Sequence, residues 1–136
     1  MMLNKLQVPM MLCIILTLSC NTLPQGWGTV NENILQTGIA EAKMFIATSP
    51  IELRESAMAG ALGMLQVRNE PLSNDEWSQL GVKTALTYAK DHFPGTNLVD
   101  TAKTYFGFPP KMTDAEVMLS IVFAQWEILV ESKGAI

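Results

Sequence analysis

The stretch V-M-L-S-I-V-F-A-Q-W-E-I-L-V, from Val117 to Val130, decides the fold of this chain. Only Ser120, Gln125 and Glu127 interrupt its apolar character. A segment that is apolar on nearly every side is either a helix buried all round or a membrane span. The stretch is shorter than the roughly 20 residues that a helix needs to cross a bilayer. It therefore predicts the central helix of a small bundle.

Helix-start signals occur where Ser or Thr stands three residues before Glu. In such a capping box the hydroxyl accepts a hydrogen bond from the N3 amide, and the Glu carboxylate accepts one from the N-cap amide. The sequence predicts capping boxes at Ser49–Glu52, Ser73–Glu76 and Thr113–Glu116. Lys133 and Gly134 are typical of a helix end, so they are expected to close the last helix.

Apolar residues recur at helical spacing between these signals, and no run alternates as a strand would. Asn31 or Asn33 is expected to cap the first helix, and Thr96 a short fourth one. We therefore predict an all-α fold, a small bundle of about five helices with a central apolar C-terminal helix, in residues 31–136. The first four predicted helices end, in chain order, near Thr48, Val67, Phe93 and Phe106.

The first residues have the order of a secretory signal peptide. Lys5 supplies a positive charge, the run from Val8 to Leu18 is mostly apolar, and the small residues Ser19 and Cys20 follow. A short cationic lead, an apolar core and a small-residue cleavage zone are typical of export signals. The alternative, an N-terminal core helix, would have to tolerate Pro9 in mid-helix. Residues 1–19 are therefore predicted to be a lipoprotein-like signal peptide.

The residues before Cys20 resemble a bacterial lipobox, in which the cysteine is lipidated and becomes the first residue of the mature protein. Cys13 would be removed with the signal peptide, which leaves Cys20 as the one remaining cysteine. An unpaired thiol is unfavourable in an oxidising compartment, and lipidation of Cys20 would remove it. Cleavage by an ordinary signal peptidase near Ser19, or a few residues later, is the alternative. Residues 20–30 are predicted to form a linker or N-terminal arm, in which Trp27 either packs back on the bundle or forms an exposed contact.

The charge of the chain is mildly negative. Nine Lys and Arg against 13 Asp and Glu give a formal charge of −4. No cluster of Lys or Arg reverses this balance, which argues against nucleic acid or an anionic membrane surface as a partner. A lipid on Cys20 would then be the link to the membrane.

The residue sets that small enzymes use are missing from the sequence. The single histidine, His92, follows Asp91, and neighbours on a helix point about 100° apart, so the two form no dyad by adjacency. There are no His pairs, CxxC motifs or phosphate-binding glycine loops. Glu52 and Glu55 are expected at the solvated surface. The sequence thus predicts a protein that is not an enzyme and has no metal or cofactor.

Glu127 lies inside the most apolar helix, where a buried carboxylate would need a partner or a raised pKa. It can instead mark one solvated stripe of that helix, together with Ser120, Gln125 and Glu131. We expect Glu127 to lie on such a solvated stripe.

The second predicted helix contains Gly60 and Gly63, and each glycine costs roughly 1 kcal/mol relative to alanine in a helix interior. A tight crossing with a neighbouring helix, such as the one at 117–130, would offset that cost. Alternatively, this face receives a partner on an adaptable methionine lining. The aromatic connection at 107–111 is expected to be a hydrophobic lid or a recognition loop. Candidate partner-binding residues are Met58, Gly60, Leu62, Gly63, Met64, Tyr105 and Phe108.

These features predict an exported, lipid-anchored protein of the bacterial envelope that binds another protein, as pilotin-like assembly chaperones and periplasmic immunity or inhibitor proteins do. The expected location is the periplasm or outer membrane, with secretion as the alternative. The region from Val82 to Pro109, with Y-A-K-D-H-F-P-G-T-N-L-V-D from residue 88, resembles the second half of Rap1a/Tai4-type immunity proteins, although that family's cysteines are absent. The alternative function is a carrier of a small apolar ligand or lipid.

Overall fold

The structure is a computed structural model that describes residues 30–132. Within that range it contains five α-helices and one short 3-10 helix, and no strand. The predicted all-α fold with five helices is confirmed. The helices are α1 (Glu32–Phe45), α2 (Ile51–Gln66), α3 (Asn74–His92), α4 (Leu98–Phe106) and α5 (Asp114–Ser132), and the 3-10 helix is Ile46–Thr48.

Helix α5 is the centre of the bundle, as its sequence predicts, because it packs against each of the other four helices. Its residues from Ala115 to Val122 are all buried. The α1 helix runs parallel to α5, since Asn31 contacts Glu116 and Lys43 contacts Glu127. The remaining contacts bury a continuous apolar core that includes residues of every helix.

Helix α3 runs antiparallel to α5 and to α2. Trp77 near its start packs on Trp126, whereas Gly81 lies beside Val122, one turn back along α5. Likewise Tyr88 reaches Glu55 near the start of α2, at the opposite end from Met64. The short connection between α2 and α3 accounts for this antiparallel pairing.

Two of the three predicted capping boxes are present. Ser73 and Glu76 exchange side-chain to backbone hydrogen bonds of 3.1 and 2.8 Å at the start of α3. Thr113 and Glu116 do the same at the start of α5, with bonds of 3.2 and 2.8 Å. These bonds satisfy amides that a helix start leaves without an intrahelical partner.

The third box, at Ser49–Glu52, is a wrong prediction. Ser49 instead donates its hydroxyl to the carbonyl of Ile46 at 2.7 Å, closing the 3-10 helix, and Pro50 becomes the N-cap of α2. The cap of α4 is also corrected by one residue. Asn97, not Thr96, accepts the hydrogen bond from the Asp100 amide. In both places a neighbouring turn decides which side chain reaches the helix start.

The glycines of α2 serve a close helix crossing, but the neighbour is α3 rather than α5. A Cβ atom on Gly60 would lie 2.5 Å from the carbonyl oxygen of Gly81, and one on Gly63 would lie 3.3 Å from the Thr84 hydroxyl. The contact of α2 with α3 is the most extensive helix pairing in the described part of the chain.

The predictions for the signal peptide, Cys20, Trp27, Lys133 and Gly134 lie outside the described residues. Within residues 30–132, no helix combines the length and the apolarity that a membrane crossing requires.

Candidate protein-binding groove

An open groove lies over α5, between α1 and α3. Both of these helices pack on α5, but they make no extensive contact with each other. The groove has a volume of about 620 Å³. Its floor is a stripe of α5, Leu119, Phe123 and Trp126, spaced so that they share one helix face. We call this feature the α5 groove.

Aromatic rings form one side of the groove. Trp77 of α3 makes edge-to-face contacts with Phe123 and Trp126, with ring centroids 5.9 and 4.9 Å apart. The Trp77 indole N–H donates to the carbonyl of Met64 at 2.8 Å, which fixes the ring. All three rings remain partly exposed. Large rings held in place at a surface are the kind of side chain that dominates protein interfaces.

The walls of the groove combine polar and apolar side chains, and all of their charged members are acidic. Residues of α1 and α3 complete the lining, and the described lining residues include no Lys, Arg or His. The acidic members are Glu32 of α1, Asp75 of α3 and Glu127 of α5. The rest of the wall is formed by Val30, Leu35, Gln36, Ile39, Asn74, Ser78 and Gln79.

Glu127 is on a solvated stripe, as expected, but only part of the predicted stripe exists. Its carboxylate lies 3.2 Å from Lys43 Nζ, and Glu131 lies 2.9 Å from the same nitrogen. These contacts, with Glu131 the stronger, raise the pKa of Lys43 above its ordinary value. Ser120 and Gln125 are buried instead, and Ser120 donates its hydroxyl to the carbonyl of Glu116 at 2.6 Å.

Glu116 sets the position of the α1 wall. Its side chain is 3% exposed, and one oxygen accepts from the Thr113 amide at 2.8 Å within the capping box. The other oxygen accepts from the Asn31 amide at 2.6 Å. Asn31 is the N-cap of α1, where its side chain accepts from two amides of the first turn. One buried carboxylate thus joins the starts of α1 and α5, next to the groove residues Val30 and Glu32.

The predicted partner-binding residues do not form one surface. Gly60 and Met64 are buried against α3, and Phe108 is buried in a stack on Phe106. Met58 and Gly63 are partly buried. Leu62, 42% exposed, and Tyr105, 37% exposed, are the residues of this set that face solvent. The connection at 107–111 therefore contributes Phe108 to the core, as the lid interpretation requires.

Other surface features lie outside the α5 groove. A pocket of about 420 Å³ is formed by α1 and the connection before α5, with Ile34, Phe108 and Met112 in its wall. On another surface Tyr105 donates its hydroxyl to the carbonyl of Phe45 at 3.3 Å, and both side chains are exposed. Neither feature has the cluster of large rings that the α5 groove has.

Glu55, Tyr88 and His92 form a cluster of titratable side chains outside the α5 groove. They contain no group of three or more His, Cys, Asp or Glu that could hold a metal. His92 is exposed and stacks on Tyr88, with centroids 4.1 Å apart. Tyr88 donates its hydroxyl to Glu55 at 3.0 Å, and this bond raises the pKa of Tyr88 above its ordinary value. These contacts join α3 to α2, and Tyr88, Asp91 and His92 line a pocket of about 430 Å³ on α3.

No protein-family model matches the chain, and comparison with curated proteins and with solved structures gives no significant match.

Sequence reasoning missed the α5 groove, although part of the signal was present. Leu119, Phe123 and Trp126 follow the spacing i, i+4, i+7, which places them on one helix face. A helix surrounded on all sides needs small residues where its neighbours approach, as at Ala124. Two large aromatic rings on one face of α5 were the available sign that this face is not fully covered.

Proposed function

We propose that this protein is a non-enzymatic binding protein of the bacterial envelope, which holds a segment of another protein in the α5 groove. It would be exported and tethered by a lipid on Cys20, in the manner of pilotin-like chaperones or periplasmic immunity proteins. The observation that carries the proposal is the partly exposed aromatic stripe of Phe123 and Trp126, supported by Trp77 and left uncovered between α1 and α3.

The energetics of such a stripe favour a protein partner. Protein interfaces are enriched in Trp and Arg, and a few buried aromatic anchors contribute most of the binding free energy. The groove rings are already held by packing and by the Trp77 hydrogen bond. A partner would therefore lose little free energy in ordering them on binding.

A carrier of a lipid or small apolar ligand is the second candidate. It would use the space between α2 and α5, where a pocket of about 280 Å³ is lined by Met58, Gln125 and Ile128. This pocket is smaller than the α5 groove, and Arg54 and Glu55 also line it. The acidic wall of the larger groove would repel a fatty acid or an anionic headgroup. Both observations favour the protein binder.

The test is capture of partners from the native host by the full exported chain with a C-terminal tag. Gln36→Trp adds a large ring to the exposed α1 wall of the groove, and Gln66→Trp makes the same change at the exposed end of α2. We expect a stoichiometric protein partner with the wild type and with Gln66→Trp, and its loss with Gln36→Trp. The intact mass of the same sample reports whether Cys20 carries acyl chains.

A further variant separates the groove from the α2 face that the sequence suggested. Leu62→Asp places a charge on that face at a residue 42% exposed, and Val30→Asp does so in the groove at a residue 40% exposed. If Leu62→Asp abolishes capture of the partner and Val30→Asp does not, the binding site lies on α2 and not in the α5 groove. Recovery of a bound lipid without any protein partner would overturn the proposal in favour of the carrier.

A further inference from the structure

We propose that the occupant of the α5 groove is an amphipathic helix of the partner protein that carries Lys or Arg at both ends of its apolar face. This inference rests on the proposed function, because it names the class of partner for the same groove. It follows from where the structure places the three carboxylates relative to the aromatic floor.

The acidic side chains lie at opposite ends of the groove. Because α1 runs parallel to α5 and its start is bonded to Glu116, Glu32 lies near the beginning of α5. Because α3 runs antiparallel and Trp77 packs on Trp126, Asp75 lies at the other end, where Glu127 also lines the groove. About ten residues of α5 separate these levels, which corresponds to about 15 Å along the helix axis.

The floor between these ends has the dimensions of a helix-binding site. Leu119, Phe123 and Trp126 span two turns of α5, and a groove of about 620 Å³ holds a few apolar side chains rather than a whole domain. An amphipathic helix presents such side chains at i, i+3 or i+4 and i+7, and docks them into a groove of this kind. Its own backbone amides are satisfied, so it can lie on an apolar floor at no hydrogen-bonding cost.

Charge complementarity selects a basic helix. Glu32 and Asp75 are exposed. Lys43 pairs with both Glu127 and Glu131, so these three side chains together keep a net negative charge. No cation of the described lining offsets these carboxylates. A helix with acidic ends would meet repulsion at both ends, and one with basic ends would meet attraction at both. Rim charges of this kind set specificity and association rate more than raw affinity.

The experiment uses two synthetic peptides of about five helical turns, with Leu at i, i+4 and i+7. One carries Lys beyond each end of the Leu stripe, and the other carries Glu there. Tryptophan fluorescence of the full exported chain reports binding, since Trp77 and Trp126 lie in the groove. We expect the Lys peptide to bind at least about tenfold more tightly at low ionic strength, with the difference shrinking when salt shortens the Debye length from about 30 to about 8 Å.

A charge-reversed protein gives the matched control. Glu32→Lys with Asp75→Lys should make the Glu peptide the tighter ligand. Glu52→Lys with Asp100→Lys makes the same change in the first turns of α2 and α4, outside the groove lining, and should leave the preference as it was. Equal affinity of both peptides for the wild type, or no effect of the groove reversal, would overturn the inference.

The native partner distinguishes this failure from failure of the proposed function. If Gln36→Trp abolishes capture of the partner but the groove reversal does not weaken it, the groove binds a protein and the basic-helix inference is wrong. If the reversal weakens capture as well, the inference is supported. If the protein dimerises and Gln36→Trp abolishes the dimer, the groove binds a second copy. If the peptides bind only after residues 21–29 are removed, the groove binds the chain's own segment. Either result would overturn the basic-helix inference.

Discussion

Substitution of Glu116 by Gln is the sharpest test of how the bundle is held together. The carboxylate of Glu116 accepts two backbone N–H groups, from Thr113 at 2.8 Å and from Asn31 at 2.6 Å, in a site where its side chain is 3% exposed. Gln has nearly the same shape, but one of its two terminal atoms is an NH₂ group. That group cannot accept a hydrogen bond, so one of the two amides loses its partner.

The cost can be estimated from its parts. A partly buried N–H left without an acceptor costs about 1–3 kcal/mol, and the remaining bond weakens by about 1 kcal/mol when its acceptor loses its charge. Loss of a negative charge at a helix N-terminus adds about 0.3–1 kcal/mol. We therefore expect Glu116→Gln to lower the free energy of unfolding by about 2–5 kcal/mol. With a urea m-value of about 2 kcal/mol/M, the middle of the usual range, the midpoint falls by about 1–2.5 M.

The chain supplies its own control. Glu76 occupies the same position of the Ser73 capping box, is exposed, and has no bond corresponding to the one with Asn31. Water can replace the bond that Glu76→Gln loses, so we expect a cost of about 0.5 kcal/mol. Urea unfolding of both variants, followed by circular dichroism, measures the difference. If Glu116→Gln costs no more than Glu76→Gln, the bond between Asn31 and Glu116 adds nothing to stability and the reasoning is refuted.

Three further predictions concern α2 and its contacts with α3. Gly60→Ala should lower the free energy of unfolding by at least about 1 kcal/mol, because the new Cβ would lie 2.5 Å from the backbone of α3. Gly63→Ala places its Cβ 3.3 Å from the Thr84 hydroxyl, so it should cost less or should stabilise the protein through helix propensity. Thermal unfolding of the two variants checks this order. Ser56→Ala should be neutral or stabilising by about 1 kcal/mol in urea unfolding, since the buried Ser56 hydroxyl has no hydrogen-bond partner. Tyr88, whose pKa is raised by Glu55, binds its proton more tightly in the folded state, so its contribution to stability is present below about pH 10 and is lost as the pH rises further. The urea midpoint should therefore decrease more between about pH 8 and about pH 11 for the wild type than for Tyr88→Phe.

The helices could be predicted because their signals are local. The apolar run at 117–130 is buried wherever its neighbours lie, and the Ser73 box needs only residues within one turn. The Ser49 box failed although it has the same letters, because the 3-10 helix at Ile46–Thr48 uses that hydroxyl. A pattern of a few residues cannot show which of two adjacent turns a side chain will close.

The groove could not be predicted, because it depends on how helices pair rather than on where they are. Helical spacing shows which residues are buried but not against which helix. For this reason the sequence predicts a close crossing at Gly60 without showing that the neighbour is α3 rather than the helix at 117–130. The gap between α1 and α3 depends on contacts such as Asn31 with Glu116, which are 85 residues apart in sequence. No single-sequence pattern reports a contact of that separation.

The Asn31 contact also connects stability with the proposed binding site. Val30 and Glu32, on either side of Asn31, are both groove residues, so the bond to Glu116 fixes the wall of the groove as well as the start of α1. The floor is set independently, because Trp77 is held by the Met64 carbonyl and packs on Trp126. Loosening the wall at Glu116 would therefore leave the aromatic floor in place but move the carboxylate of Glu32 relative to it. A partner that contacts both the aromatic floor and the carboxylates at the ends of the groove would then lose selectivity before it lost all affinity. The reason is that end charges contribute to specificity and apolar anchors contribute to affinity.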